Sequence, residues 1–215
     1  MEKYAPIVPF NWRTEPFLVL DFSEANPELP AVNVQDTAQF SEYVFGKLHA
    51  ANVRVGVGGY NERRVIYARS SHFQQTAAPR CVHLGVDVWA AAGTSVCAPL
   101  AGRVHGFANN AHFGDYGPTI ILEHLIDNQP LFSLYGHLSL ESLAGLYEGK
   151  PIEKGQQIGS IGTYPTNGDW PPHLHFQLIT DMRGLKGDFP GVCTLGERDA
   201  FLKICPNPNV MLGLI

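Results

Sequence analysis

Long apolar runs are missing from this 215-residue chain, and no stretch approaches the roughly eighteen apolar residues of a membrane span. A basic excess is missing too. With a formal net charge of -5 and no stripe of Lys and Arg, the composition argues against a nucleic-acid partner. The N-terminus, Met-Glu-Lys-Tyr-Ala-Pro-Ile-Val-Pro-Phe, places an acid and prolines where a secretory signal needs a basic start and an unbroken apolar core. The expected location is therefore the cytoplasm, unless export follows another route. Cys81, Cys97, Cys193 and Cys205 never fall at Cys-x-x-Cys spacing, which speaks against a structural zinc site or a dithiol motif. Without an export signal they read as reduced thiols that pack as small hydrophobes. No internal repeat, low-complexity tract or linker is visible. No lysine stands between Lys47 and Lys150, so the exposed hairpin lysine of a lipoyl- or biotinyl-carrier barrel has no candidate.

What the chain does have is turn formers: 22 glycines and 16 prolines favour short strands over long helices. One helix is expected over Thr37–Leu48, where Phe40, Tyr43, Val44 and Leu48 recur at helical spacing behind Asp36 as N-cap. Phe17–Leu20 and Val53–Tyr60 read as strands. Beyond Cys81 the segments become short and β-like: His83–Val88, Thr119–His124 and Leu131–His137 alternate, and Ser95–Val104 reads as a strand that turns at Pro99-Leu100-Ala101-Gly102 and returns. Residues 154–162 read as another glycine-punctuated hairpin piece. The expected fold class is mainly β, an antiparallel sheet or barrel-sandwich, with a small mixed α/β N-terminal region.

The chemistry gathers in a few histidines. In Pro171-Pro172-His173-Leu174-His175-Phe176-Gln177-Leu178, a strand puts His173, His175 and Gln177 on one face and Leu174, Phe176 and Leu178 on the other. The two imidazoles then lie roughly 6.6 Å apart along the chain, within reach of one metal, or of a metal and something beside it. His83 and Asp87 supply further ligand types, but four straight strand positions span about 13 Å, so the chain must bend between them. Gly85 permits that bend. His137 ends an apolar strand beside Gly136, where its ring can face a cleft. His49, His72, His105, His112 and His124 read as structural or surface residues, with His124 the best placed of them for a supporting role. Arg63 and Arg64 could grip an anionic group, but read first as solvated surface charge.

Taken together, these segments resemble the M23 family of zinc metallopeptidases, the lysostaphin and LytM type. His83-Leu84-Gly85-Val86-Asp87 matches the family's His-x-x-x-Asp, Gly93–Pro99 with Ala101–Val104 the hairpin after it, and Tyr135-Gly136-His137-Leu138 the Tyr-x-His-Leu segment. Gly149–Gly162 and Pro172-His173-Leu174-His175-Phe176 match the glycine-rich stretch and the Pro-His-Leu-His-Phe ending. The resemblance implies a zinc metalloendopeptidase with metal ligands His83, Asp87 and His175 and catalytic His137 and His173. Its substrate would be a peptide or a peptidoglycan-like cross-link, or a glycine-rich peptide. Residues 75–185 would form the metallopeptidase domain, 1–74 an N-terminal extension packed on it and lining one wall of the cleft, and 186–215 a tail.

Departures from the family pattern suggest other outcomes. Trp170 is bulky where the loop before the last motif is usually small and polar, and Gly59–Arg64, Asn167–Trp170 and Cys205–Asn209 resemble a branch fused to kinase-like and class III aminotransferase domains. That branch implies an intracellular substrate, such as a small amide. Asn61 is the candidate for an upstream asparagine that blocks the zinc. The alternatives are a silent module that binds peptide or glycan, which would be expected to have lost ligands, and a cupin-type oxidoreductase, which would want a glutamate in Phe176–Thr180. Oligomeric state is open.

Overall fold

The computed structural model describes residues 3–74 and 78–214. Helix α1 (Thr37–Ala50) starts where the sequence places it, with the Asp36 carboxylate accepting the N–H groups of Ala38 and Gln39 at 3.0 and 3.1 Å. Phe40, Val44 and Leu48 form its buried stripe. The strands are β1 (Leu18–Leu20), β2 (Gly56–Gly58), β3 (Val82–His83), β4 (Val86–Trp89), β5 (Ser95–Cys97), β6 (Gly102–Asn110), β7 (Gly117–Ile126), β8 (Gln129–Gly136), β9 (Pro151–Ile152), β10 (Gln157–Ser160), β11 (His173–Ile179) and β12 (Val192–Cys193).

Eight of them make one open sheet in the order β1-β2-β4-β11-β8-β7-β6-β9, antiparallel throughout except for the parallel β1–β2 edge pair. The fold is therefore mainly β and sandwich-like, without barrel closure. On one face Val86, Val88, Ile120, Leu122, Leu174 and Phe176 pack in a common core with Val96 of β5 and Ile158 of β10, which pair as a separate ribbon. On the other face Leu84, Ile121, Leu134 and Ile179 pack with Phe189, Cys193 and Phe201, beside the β3–β12 pair. A third cluster joins the N-terminal residues Phe22, Phe40, Val44 and Ile66 to Trp89 and Trp170. The N-terminal segment thus adds β1 and β2 to the sheet and reaches the rim of β4 and β11.

Two expectations change. Ser95–Val104 is not a hairpin: β5 pairs with β10, and β6 with β7 and β9. Pro99 has no N–H to continue a ladder, and its turn carries the chain from the ribbon into the large sheet. In addition, α2 (Arg198–Ile204) and α3 (Asn209–Leu212) form near the C-terminus. With seven and four residues they are too short to show a helical period. The cysteines are free thiols, with Cys193 and Cys205 buried as packing residues. Among the described residues no helix is long and apolar enough to cross a membrane.

Candidate metal centre

Strand β11 alternates as its sequence demands, sending Leu174, Phe176 and Leu178 into the core and leaving His173, His175 and Gln177 on the opposite face. Its neighbours fix the surroundings: His175 lies opposite Asp87 on β4 and opposite Gly136 at the end of β8. His83 comes from β3, a different ladder, because the chain breaks at Leu84–Gly85 between β3 and β4. The reason for glycine there is space, not an unusual backbone angle. A Cβ on Gly85 would sit 2.6 Å from His175 Cε1 and 2.7 Å from the Phe176 carbonyl oxygen. The break brings His83 Nε2 to 3.2 Å from Asp87 Oδ1, although the two residues are four apart.

The hydrogen bonds around these residues settle which ring nitrogens carry protons. His83 Nδ1 lies 2.8 Å from the Gly59 carbonyl oxygen, which can only accept, so Nδ1 donates and Nε2 bears a lone pair. His175 Nε2 lies 2.9 Å from Gln177 Oε1. The Gln177 amide is oriented by its own donation to the Pro190 carbonyl at 3.2 Å and by Cys205 Sγ at 3.4 Å. His175 therefore donates from Nε2 and presents a bare Nδ1. The two bare nitrogens face each other at 2.9 Å, and Asp87 Oδ1 is 3.2 Å from His175 Nδ1. Three acceptors converge with no proton to share. Such a cluster is repulsive unless a cation or an added proton sits among them, and two imidazoles with one carboxylate suit zinc with a fourth position left open.

Asp87 is held from behind by Arg64. The Arg64 guanidinium bonds Asp87 Oδ2 through Nη1 and donates from Nε to Glu62 Oε2 at 2.7 Å, while Glu62 Oε1 accepts the Phe22 N–H at 2.9 Å. The expectation of a solvated charge is right for Arg63, exposed beside Glu24, and wrong for Arg64, which is buried in this ion pair. Burial would raise the Asp87 carboxyl, but the Arg64 guanidinium bonded to it outweighs that and holds it well below the usual range. Burial, with the Arg64 charge, lowers His83 to about 4 against the pull of Asp87. With His83 neutral, Arg64 is the cation that secures the ionised carboxylate.

His137 and His173 stand beside this cluster with ring centroids 4.1 Å apart. His137 Nδ1 donates to the Asn167 carbonyl at 2.8 Å and His173 Nδ1 to the Pro171 carbonyl at 2.7 Å, which leaves each Nε2 as the nitrogen available to the cleft. His173 is fixed by Trp89, stacked on it at 4.1 Å and 17°. His137 has a φ of 62°, an uncommon backbone state for a side-chain-bearing residue. Its N–H donates to Tyr116 at 2.7 Å and its carbonyl accepts from Gly162 at 2.8 Å, so the surrounding loops hold the strain. Burial pushes His137 well below the ordinary imidazole range and His173 down to about 4, so both rings are neutral at pH 7.

The structure thus brings His83, Asp87, His137, His173 and His175 together, all at 5% exposure or less. Asn61 is turned elsewhere: its Oδ1 accepts from Arg198 Nε at 2.7 Å. His124 lies on the other face of the sheet, bonded to Ala101 and Ser133, so it gives the cluster no support. Gly59, Arg64, Tyr67 and His72 enter the site or its walls unforeseen. Nothing local separates Arg64 from Arg63; Gln177, in contrast, continues the alternation of His173 and His175.

Residues 81–186 match the model described as Peptidase family M23. This part of the chain belongs to peptidase family M23. Over 126 residues the chain is 32% identical to an uncharacterized metalloprotease of Haemophilus influenzae, a match covering 56% of this chain and 24% of that protein. It therefore spans about a quarter of the length of that curated relative. Among solved structures, Helicobacter pylori Csd3 is 31% identical over 58% of this chain and 32% of its own, with a TM-score of 0.38. The catalytic domain of the antimicrobial peptidase lysostaphin from Staphylococcus simulans is 26% identical over 62% of this chain and 80% of its own, at 0.42. The M23 segment contains all five clustered residues, whereas Gly59, Glu62 and Arg64 precede it.

Proposed function

We propose that the M23 domain hydrolyses a peptide or amide bond at a single zinc ion held by His83 Nε2, Asp87 Oδ1 and His175 Nδ1. The observation that carries this reading is the convergence of these three acceptor atoms, each with its opposite side already committed to a protein partner. Zinc in such a set lowers the pKa of a bound water and polarises a carbonyl. The protein supplies the rest. His137 and His173 each hold a neutral ring with Nε2 available to the cleft, so one accepts the proton of the attacking water. The other donates toward the tetrahedral oxyanion or returns a proton to the leaving amine. Trp89 and the carbonyls of Asn167 and Pro171 fix both rings, which keeps their orientation unchanged through the reaction. Arg64 keeps Asp87 ionised and, by bonding Oδ2, leaves Oδ1 as the oxygen that would hold the metal.

Peptidoglycan fragments, glycine-rich peptides and short amides are the substrates to assay, with release of new amines as the readout. The zinc-loaded wild-type chain should cleave at least one of them. His137→Ala should keep its zinc and lose about 10²–10⁴-fold in rate. Full zinc with no cleavage of any member of the panel would favour the silent binding module instead.

A further inference from the structure

The walls of the cleft limit what can reach the five residues. Tyr67 and Phe73 lie on two successive single-turn helices, Ile66–Arg69 and Ser71–Gln74, and Trp170 on the loop before β11. Their ring centroids are 4.6 Å apart for Tyr67 and Phe73, 6.3 Å for Tyr67 and Trp170, and 6.4 Å for Phe73 and Trp170. Aromatic rings at about 4.5–7 Å are in contact, whereas a peptide laid between two strands needs roughly 10 Å between them. Among the described residues, the three rings leave no such gap between them. Trp170 is 6.1 Å from both the His137 and the His173 ring, so the closure stands at the reacting end of the cleft.

Several contacts show that the closure is built into the fold. The Arg69 guanidinium lies 4.5 Å over the Trp170 ring and donates to Thr37 Oγ1 at 2.7 Å, and Thr37 Oγ1 donates to the Asp169 carbonyl at 3.0 Å. Ser70 Oγ donates to the Phe113 carbonyl at 2.6 Å, tying the same segment to the loop after β6. Farther round, Tyr116 OH donates to the Phe189 carbonyl at 3.1 Å. What is left beside the histidines is a cavity of about 110 Å³, well under the roughly 300–1,000 Å³ of ordinary ligand pockets.

Resting on the hydrolase reading above, we propose that this site takes its substrate end-on: a compact amide with a free end, one or two residues long on the buried side, and not the middle of an extended chain. The segment Arg64–Phe73, outside the M23 match, would set that limit through Tyr67 and Phe73.

Phosphinate pseudopeptides, in which a tetrahedral phosphinate replaces the scissile amide, test the limit by binding to the zinc-loaded full chain in a calorimeter. A dipeptide-length probe with free ends should bind about 100-fold more tightly than an octapeptide carrying the same group at its centre, because the closure clashes with the longer chain. Phe73→Ala, or Phe73→Leu if the first variant fails to fold by circular dichroism, should narrow the gap about tenfold by strengthening the long probe alone. Equal binding of the two probes to wild type would overturn the proposal. A gap unmoved by both substitutions would overturn the assignment to Phe73, and a variant that strengthens both probes equally would make the segment a simple cover. Tight, selective binding of the probes with no cleavage of any peptide or amide in the substrate panel would remove the hydrolase reading and leave the end-on limit standing, whereas a chain that takes up no zinc loses both.

Discussion

Two buried histidine clusters lie on opposite faces of one sheet, and their hydrogen bonding differs in kind. His124, Ser133 and Tyr135 share the face of Phe176, where His124 Nδ1 meets the Ala101 carbonyl at 2.9 Å, and Ser133 Oγ lies 2.7 Å from His124 Nε2 and 2.9 Å from the Tyr135 hydroxyl. Each polar atom there has a partner of the right kind, as buried groups require. On the other face, His83 and His175 spend their N–H groups on Gly59 and Gln177 and turn two bare nitrogens toward one carboxylate oxygen. Satisfaction marks the first cluster as part of the packing. Convergent acceptors mark the second as a place prepared for a cation.

The contrast is broken most severely at His175. His175→Ala should lower zinc affinity by more than the roughly 10–100-fold that loss of an outer partner costs, as read by competition with a chelating dye, and abolish hydrolysis. Arg64→Met comes next, because it leaves Asp87 buried without its cation. Loss of one partner of a buried ion pair costs about 3–5 kcal/mol, so its urea midpoint should fall sharply, and added zinc should restore part of the loss. Recovery no greater than that of wild type would show that Arg64 supports only the fold. Gln177→Leu frees the His175 tautomer and should weaken zinc by about 10–100-fold with little change in the apo protein's stability. The smallest effect belongs to the opposite face: Ser133→Ala should cost about 1 kcal/mol of stability and leave zinc affinity unchanged. A loss of zinc in that variant would erase the distinction between the clusters.

The sequence shows much of the site because its residues sit on strands and local breaks whose geometry is local. The alternation of His173 and His175 and the need for a bend between His83 and Asp87 both follow from strand spacing, and Gln177 lies on the same face for the same reason. Arg64, Gly59 and Tyr67 reach the site only through tertiary approach of the N-terminal segment, which no local period reports. The partner of β5 was hidden likewise: a turn at Pro99 looks the same whether the chain returns along itself or crosses to another sheet, and only the pairing of β5 with β10 decides. For His124 the sequence shows the strand neighbourhood and not the face, which the bonds to Ala101 and Ser133 decide.

Zinc titration of chelator-stripped wild-type protein, followed calorimetrically, tests the convergent acceptors most directly. One equivalent should bind per chain, lost in His175→Ala and kept in His124→Ala. Absence of binding to wild type, or binding that survives in His175→Ala, would contradict it.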